Sequence, residues 1–77
     1  MNSYIATFYS HFGALLYYRA LAKQGVAASL APVPRKLSSS CGTCVCYTHT
    51  DVIDLADCEL DCVYQEADGV LDCVVKN

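Results

Sequence analysis

Tryptophan is absent from this chain, methionine occurs once and proline twice, and positive charge is scarce. The five cations Arg19, Lys23, Arg35, Lys36 and Lys76 face eight acidic residues for a net charge of −3, which excludes the basic footprint of a nucleic-acid binder. Gly, Pro and charged residues break every apolar stretch well short of membrane-spanning length, so no membrane partner is expected. The start, Met1-Asn2-Ser3-Tyr4-Ile5, has neither a cationic segment nor a long apolar one. It does not read as a secretory signal, and the expected location is cytoplasmic. Paired carboxylates, a phosphate-binding loop and a recognisable catalytic triad are also missing, which argues against an enzyme with a substrate pocket.

What the chain does have is apolar content and sulfur. Of its 77 residues 55% are hydrophobic, enough for one small globular domain over residues 1–77 and too much for intrinsic disorder. Six cysteines are present. In a secreted mini-protein they would suggest a disulfide framework. The start of the chain and the apolar content both oppose that, and clustered cysteines in a reducing compartment point instead to metal binding or to redox and transfer chemistry.

Tyr4 to Tyr9, aromatic and β-branched, predicts a first strand. Ser10 is an N-cap candidate for a helix over His11 to Gln24 that Gly25 stops. Ala14, Leu15, Tyr18, Leu21 and Ala22 recur at helical spacing as the expected buried stripe, widened by Phe12 and Leu16. Val26 to Val33 predicts a second strand and Thr43 to Thr48 a third, separated by a loop. Thr50 is placed to cap a second helix over Asp51 to Ala56. Cys58 to Gln65 alternates as a strand with Leu60, Cys62 and Tyr64 on one face, and Asp68-Gly69 turns it into a last strand, Val70 to Val75. In that phase Cys62, and Cys73 between Leu71 and Val75, are core residues, as are Tyr17, Tyr18 and Tyr64. The expected fold is α+β, a ferredoxin-like βαββαβ sandwich with an extra C-terminal strand and two helices on one face of the sheet. An uncovered last strand would be an edge able to pair two copies into a homodimer.

A crossover helix makes the first two strands run the same way. The loop after the second strand therefore opens at the edge where the helix begins, which places Ser10 and His11 beside Cys41 and brings Asp57 and Cys58 to the same edge. That loop, Pro32-Val33-Pro34-Arg35-Lys36-Leu37-Ser38-Ser39-Ser40-Cys41-Gly42-Thr43-Cys44-Val45-Cys46, sets two cations and three serines beside three closely spaced thiols. Cysteine reactivity follows thiolate population, so the chemistry read here is thiol chemistry in an exposed loop.

Three stretches, Ile5-Ala6-Thr7-Phe8-Tyr9-Ser10-His11-Phe12-Gly13-Ala14-Leu15, Gln24-Gly25-Val26 and Pro32 to Gly42, resemble a family of small bacterial selenium/sulfur-carrier-like proteins. The proline-arginine-serine-serine-cysteine-glycine element is the specific part. The resemblance implies a carrier, not an enzyme, in which Cys41 holds a sulfur or selenium atom as a persulfide or selenopersulfide. It also implies a cysteine desulfurase-like donor and an acceptor protein as partners. For such a carrier an ordinary thiol, with a pKa of about 8.5, needs help to ionise. Arg35 and Lys36 are placed to supply charge, Ser39 and Ser40 to hydrogen-bond a persulfide, and the N–H groups of Gly42 and Thr43 to form an anion nest. His11 is a candidate proton shuttle, with a merely structural place at the helix start as the other reading. Cys44 is placed to attack a loaded Cys41 and leave a Cys41–Cys44 disulfide.

The competing reading is a metal site. Cys41, Cys44 and Cys46 have C-x-x-C-x-C spacing, and Cys58 from the same edge would complete four thiolates for zinc or an iron–sulfur cluster. Against it, Cys44 and Cys46 share one face of the third strand, where both are expected to point into the core. A thioredoxin-type oxidoreductase fits less well, because its C-x-x-C belongs at a strand-to-helix junction and these cysteines lead into a strand.

Overall fold

A computed structural model of the chain describes residues 1–37 and 41–77. Strand β1 (Asn2–Phe8) leads through Tyr9 and Ser10 into helix α1 (His11–Lys23). Strands β2 (Ala28–Pro32), β3 (Thr43–His49), β4 (Leu60–Ala67) and β5 (Val70–Lys76) follow, with a 3-10 turn at Ala56–Cys58. The architecture is α+β: one helix lies on a five-stranded sheet of order β2-β3-β1-β4-β5, and every neighbouring pair is antiparallel. Because β1 and β2 are both antiparallel to β3, they point the same way, as the crossover helix requires.

Local chemistry sets most of these boundaries. The Ser10 hydroxyl accepts the Gly13 N–H at 3.0 Å, capping α1, and Gly25 leaves the helix at φ 75° with its N–H on the Ala22 carbonyl. Asp68 and Gly69, at φ 53° and 79°, form the two-residue turn between β4 and β5, whose twist matches the strands it joins.

The core lies between α1 and one face of the sheet. Ala14, Tyr17 and Leu21 from the helix meet Tyr4, Ala6 and Phe8 of β1, Val45 and Tyr47 of β3, and Leu60 and Val63 of β4. Phe8 and Tyr17 cross edge to face with ring centres 5.1 Å apart. This buried stripe is rotated from the expected one. Gly13 and Tyr17 are inside, whereas Phe12 is 66% exposed and Ala22 faces solvent. Gly13 causes the rotation: a Cβ there would run into the carbonyl of Cys58, so only glycine lets the helix settle this closely on the 3-10 turn.

The second helix expected over Asp51 to Ala56 does not form, so the two-helix sandwich is a one-helix layer. Ile53 shows why. Its carbonyl accepts the Tyr17 hydroxyl at 2.6 Å, and its N–H donates to the Tyr47 hydroxyl at 3.1 Å. Both backbone groups that a helix would use are taken by tyrosines of the core. Thr50 caps nothing; the turn there is held by the Asp51 N–H on His49 Nδ1 and the Val52 N–H on Asp51 Oδ1.

A second correction concerns strand phase. Phe8 pairs with Leu60 but Thr7 pairs with Cys62, so Asp61 is an extra residue in β4. This bulge puts Leu60 under the helix and turns Cys62 and Tyr64 to the opposite face. Cys73 pairs with Tyr64 on that same face and is exposed, not core. Cys44 and Cys46 pair with Thr7 and Ile5, so they too lie on the face away from α1. Among the described residues, that face carries no helix.

Candidate functional site

Of the residues expected at the site, the structure brings His11 and the end of the Cys41 loop to one edge of the sheet. β1 and β2 end there and β3 begins there, so the helix start faces the end of the Cys41 loop. The loop is closed at its base by the Val33 N–H on the Gly42 carbonyl at 3.0 Å. Inside it, Pro34 to Leu37 form a turn, with the Leu37 N–H on the Pro34 carbonyl at 3.0 Å. Arg35 and Lys36 occupy the tip of that turn and are exposed. Ser39 and Ser40 lie outside the described residues.

Cys41 is half-buried against the edge of the core. Its Sγ donates to the Thr43 carbonyl at 3.3 Å, and the Thr43 N–H points back at the sulfur from 3.5 Å. Gly42 makes this wrap feasible. It sits at φ 73°, in the left-handed region, with open space where a Cβ would be, so its backbone angle and not its size is what the loop uses. His11 Nδ1 lies 3.1 Å from the Thr43 hydroxyl. The imidazole thus reaches the residue that wraps Cys41, from the first turn of α1. The Thr43 N–H is a group the sequence reading names; its carbonyl and its hydroxyl are the contributions that reading misses, because the residue type gives no chemical signal for them.

The remaining thiols diverge. Cys44 is buried, donates to the Pro32 carbonyl at 3.6 Å, and has its Sγ 4.0 Å from that of Cys46. Its hydrogen bond with Cys46, in which either thiol can be the donor, and burial push the Cys44 thiol up, with Cys46 and Cys41 adding repulsion. The same bond pulls Cys46 down to about 7, against opposing contributions from burial and the Glu66 carboxylate. Cys58, by contrast, is buried on the helix side, where desolvation and Asp57 push its thiol up. The four cysteines of the metal reading are therefore split between the two faces of the sheet. No group of three or more His, Cys, Asp or Glu side chains converges as metal ligands among the described residues. Nor is any helix there long and apolar enough to cross a membrane.

No curated protein and no solved structure matches the chain. A family model described as "Putative Se/S carrier protein-like" does, over residues 3–65, which takes in β1, α1, the Cys41 loop, β3 and most of β4. With that match spanning most of its 77 residues, the chain belongs to the Se/S carrier protein-like family.

Proposed function

We propose that the protein carries sulfur or selenium covalently on Cys41, taking it from a cysteine desulfurase-type donor and passing it to an acceptor protein. The observation that carries this reading is the half-exposed Cys41 sulfur facing the Thr43 N–H beside a left-handed Gly42. As a thiol, Cys41 donates to the Thr43 carbonyl. As a thiolate it has no proton to give, and the N–H on the other side of the same residue becomes its stabilising partner.

Loading is a thiolate exchange. Cys41 S⁻ attacks the outer sulfur of a donor R–S–SH; the S–S bond of the donor breaks, R–S⁻ leaves, and Cys41–S–SH is formed. Delivery reverses the roles, with an acceptor thiolate taking the outer sulfur and Cys41 leaving as thiolate. On this reading the exposed cations Arg35 and Lys36, together with Ser39 and Ser40 next to Cys41 in the sequence, are the groups assigned to hold the persulfide. His11, linked to Thr43, is the candidate proton relay at the mouth of the loop. In the alternative release step Cys44 attacks Cys41 Sγ and expels HS⁻. The proton that Cys44 shares with Cys46 must leave first.

The test is an anaerobic native mass spectrum before and after incubation with a cysteine desulfurase and cysteine. One added sulfur atom in the wild-type protein, lost in Cys41→Ser, is the expected result. Uptake that persists in Cys41→Ser, or none in the wild type, overturns the assignment.

A further inference from the structure

The face of the sheet away from α1 holds a groove of about 450 Å³, lined by Ser3, Ile5, Ser29, Cys46, Thr48 and Glu66 among others. It lies toward the opposite end of the sheet from Cys41, since Ser3 pairs with Thr48 and Glu66 at the start of β1, and Cys44 pairs with Thr7 near its end. We propose that the Cys46–Cys44 pair is a second thiol site, distinct from the Cys41 loop, which exchanges with small disulfides that carry an ammonium group.

Four observations carry this. Cys46 opens on the groove and is half-buried, so a small ligand can reach its sulfur. Its neighbour Cys44 is buried 4.0 Å away, the arrangement of an accessible attacking thiol backed by a sheltered resolving one. Against burial and the Glu66 carboxylate, the hydrogen bond between the two thiols lowers the Cys46 thiol from its ordinary value and so favours its thiolate. Finally, the groove offers hydroxyls from Ser3, Ser29 and Thr48 together with one carboxylate, Glu66, whose charge reaches Cys46. A carboxylate in the groove favours a cationic ligand and repels an anionic one. The volume falls within the range of small-molecule sites.

The exchange balances as follows. Cys46 S⁻ attacks R–S–S–R, forming Cys46–S–S–R and releasing R–S⁻, which takes the Cys44 proton and leaves as R–SH. Cys44 S⁻ then attacks Cys46 Sγ, the mixed disulfide breaks, and a second R–S⁻ departs and is protonated by water. Two protein thiols are oxidised to one disulfide, and one small disulfide is reduced to two thiols. Residues two apart on a strand have Cα atoms about 6.7 Å apart. That is at the upper end of what a disulfide spans, so the product is readily reduced and the pair can cycle.

The test uses reduced Cys41→Ser protein, so that loss of this activity and loss of the carrier function are separately visible. The probes are cystamine, a disulfide with two ammonium groups, and 3,3′-dithiodipropionate, with two carboxylates. Under substoichiometric cystamine the expected product is a Cys44–Cys46 disulfide, mapped by peptide mass spectrometry, with two cysteamines released. Cystamine should react about fivefold faster than the dianion, the size of an exposed charge effect, and Glu66→Gln should erase most of that preference. Cys44→Ala, which removes both the resolving sulfur and its hydrogen bond, should stop at a cysteamine adduct on Cys46, formed about tenfold more slowly. A first product mapping to Cys62 or Cys73 overturns the proposal. Equal rates for the two probes, or a preference unchanged in Glu66→Gln, overturn the ammonium assignment.

Discussion

Cys41 and Thr43 grip each other from both sides: the thiol donates to the Thr43 carbonyl at 3.3 Å while the Thr43 N–H faces the same sulfur at 3.5 Å. One backbone unit thus offers the sulfur an acceptor when it is protonated and a donor when it is not. That double contact exists only because Gly42 between them takes a positive φ.

Gly42→Ala tests the arrangement. A side chain at φ 73° costs about 1–2 kcal/mol. Turning the Thr43 N–H from the sulfur should slow loading of Cys41 about tenfold, the worth of a hydrogen bond to a charged group. Gly25→Ala is the control, with φ 75° and the same open space for a Cβ. It should cost similar stability in urea melts and leave loading unchanged. Equal loading in the two variants would remove the role given to the Thr43 N–H.

Gly13→Ala should destabilise in spite of helix propensity, which favours alanine by about 1 kcal/mol. The new methyl meets the Cys58 carbonyl, main chain that cannot rotate aside, so α1 must lift from the turn. A net loss of about 2 kcal/mol is expected from overpacking of this kind. It would appear as a lower urea midpoint with an unchanged slope. A rise in the midpoint would mean that the turn, not the helix, gives way without cost.

The third prediction concerns alkaline pH. Burial, followed by its contact with Tyr47, pushes the Tyr17 hydroxyl far above an ordinary tyrosine, and burial raises Tyr47 as well. Their protons are held more tightly in the folded protein than in the unfolded chain. The stability they confer is complete below about pH 10 and is lost as pH rises above it, because the unfolded state then ionises while the folded state resists. Tyr17→Phe removes the donor to the Ile53 carbonyl and should cost about 1–2 kcal/mol at pH 7. It should also flatten the decline above pH 10, as read from urea midpoints at pH 8 to 11. A decline as steep as that of the wild type would place the sensitivity elsewhere.

The features legible in the sequence share one property: the chemistry that decides them is local. Ser10 caps its own helix, Asp68-Gly69 fixes its own turn, and a crossover that makes two strands run the same way brought His11 and the Cys41 loop to one edge without any knowledge of packing. What was not legible depends on distant partners. Asp51 to Ala56 reads as helix until two tyrosines from other elements take the backbone of Ile53. The alternation of Leu60, Cys62 and Tyr64 is real in the letters, but the extra residue at Asp61 reverses its meaning halfway along. The pairing of Cys44 with Cys46 followed from a period of two; which face they occupy depended on where the helix lies.

The central place of β1 also bears on how the chain assembles. Made first, this strand needs β3 on one side and β4 on the other, and its Thr7 waits for Cys62 to complete the pairing. During synthesis the middle of the sheet is therefore an open edge until β4 has emerged. Closure across so long a separation is slow relative to helix formation. The strand with both edges unpaired is the segment most in need of protection in the nascent protein.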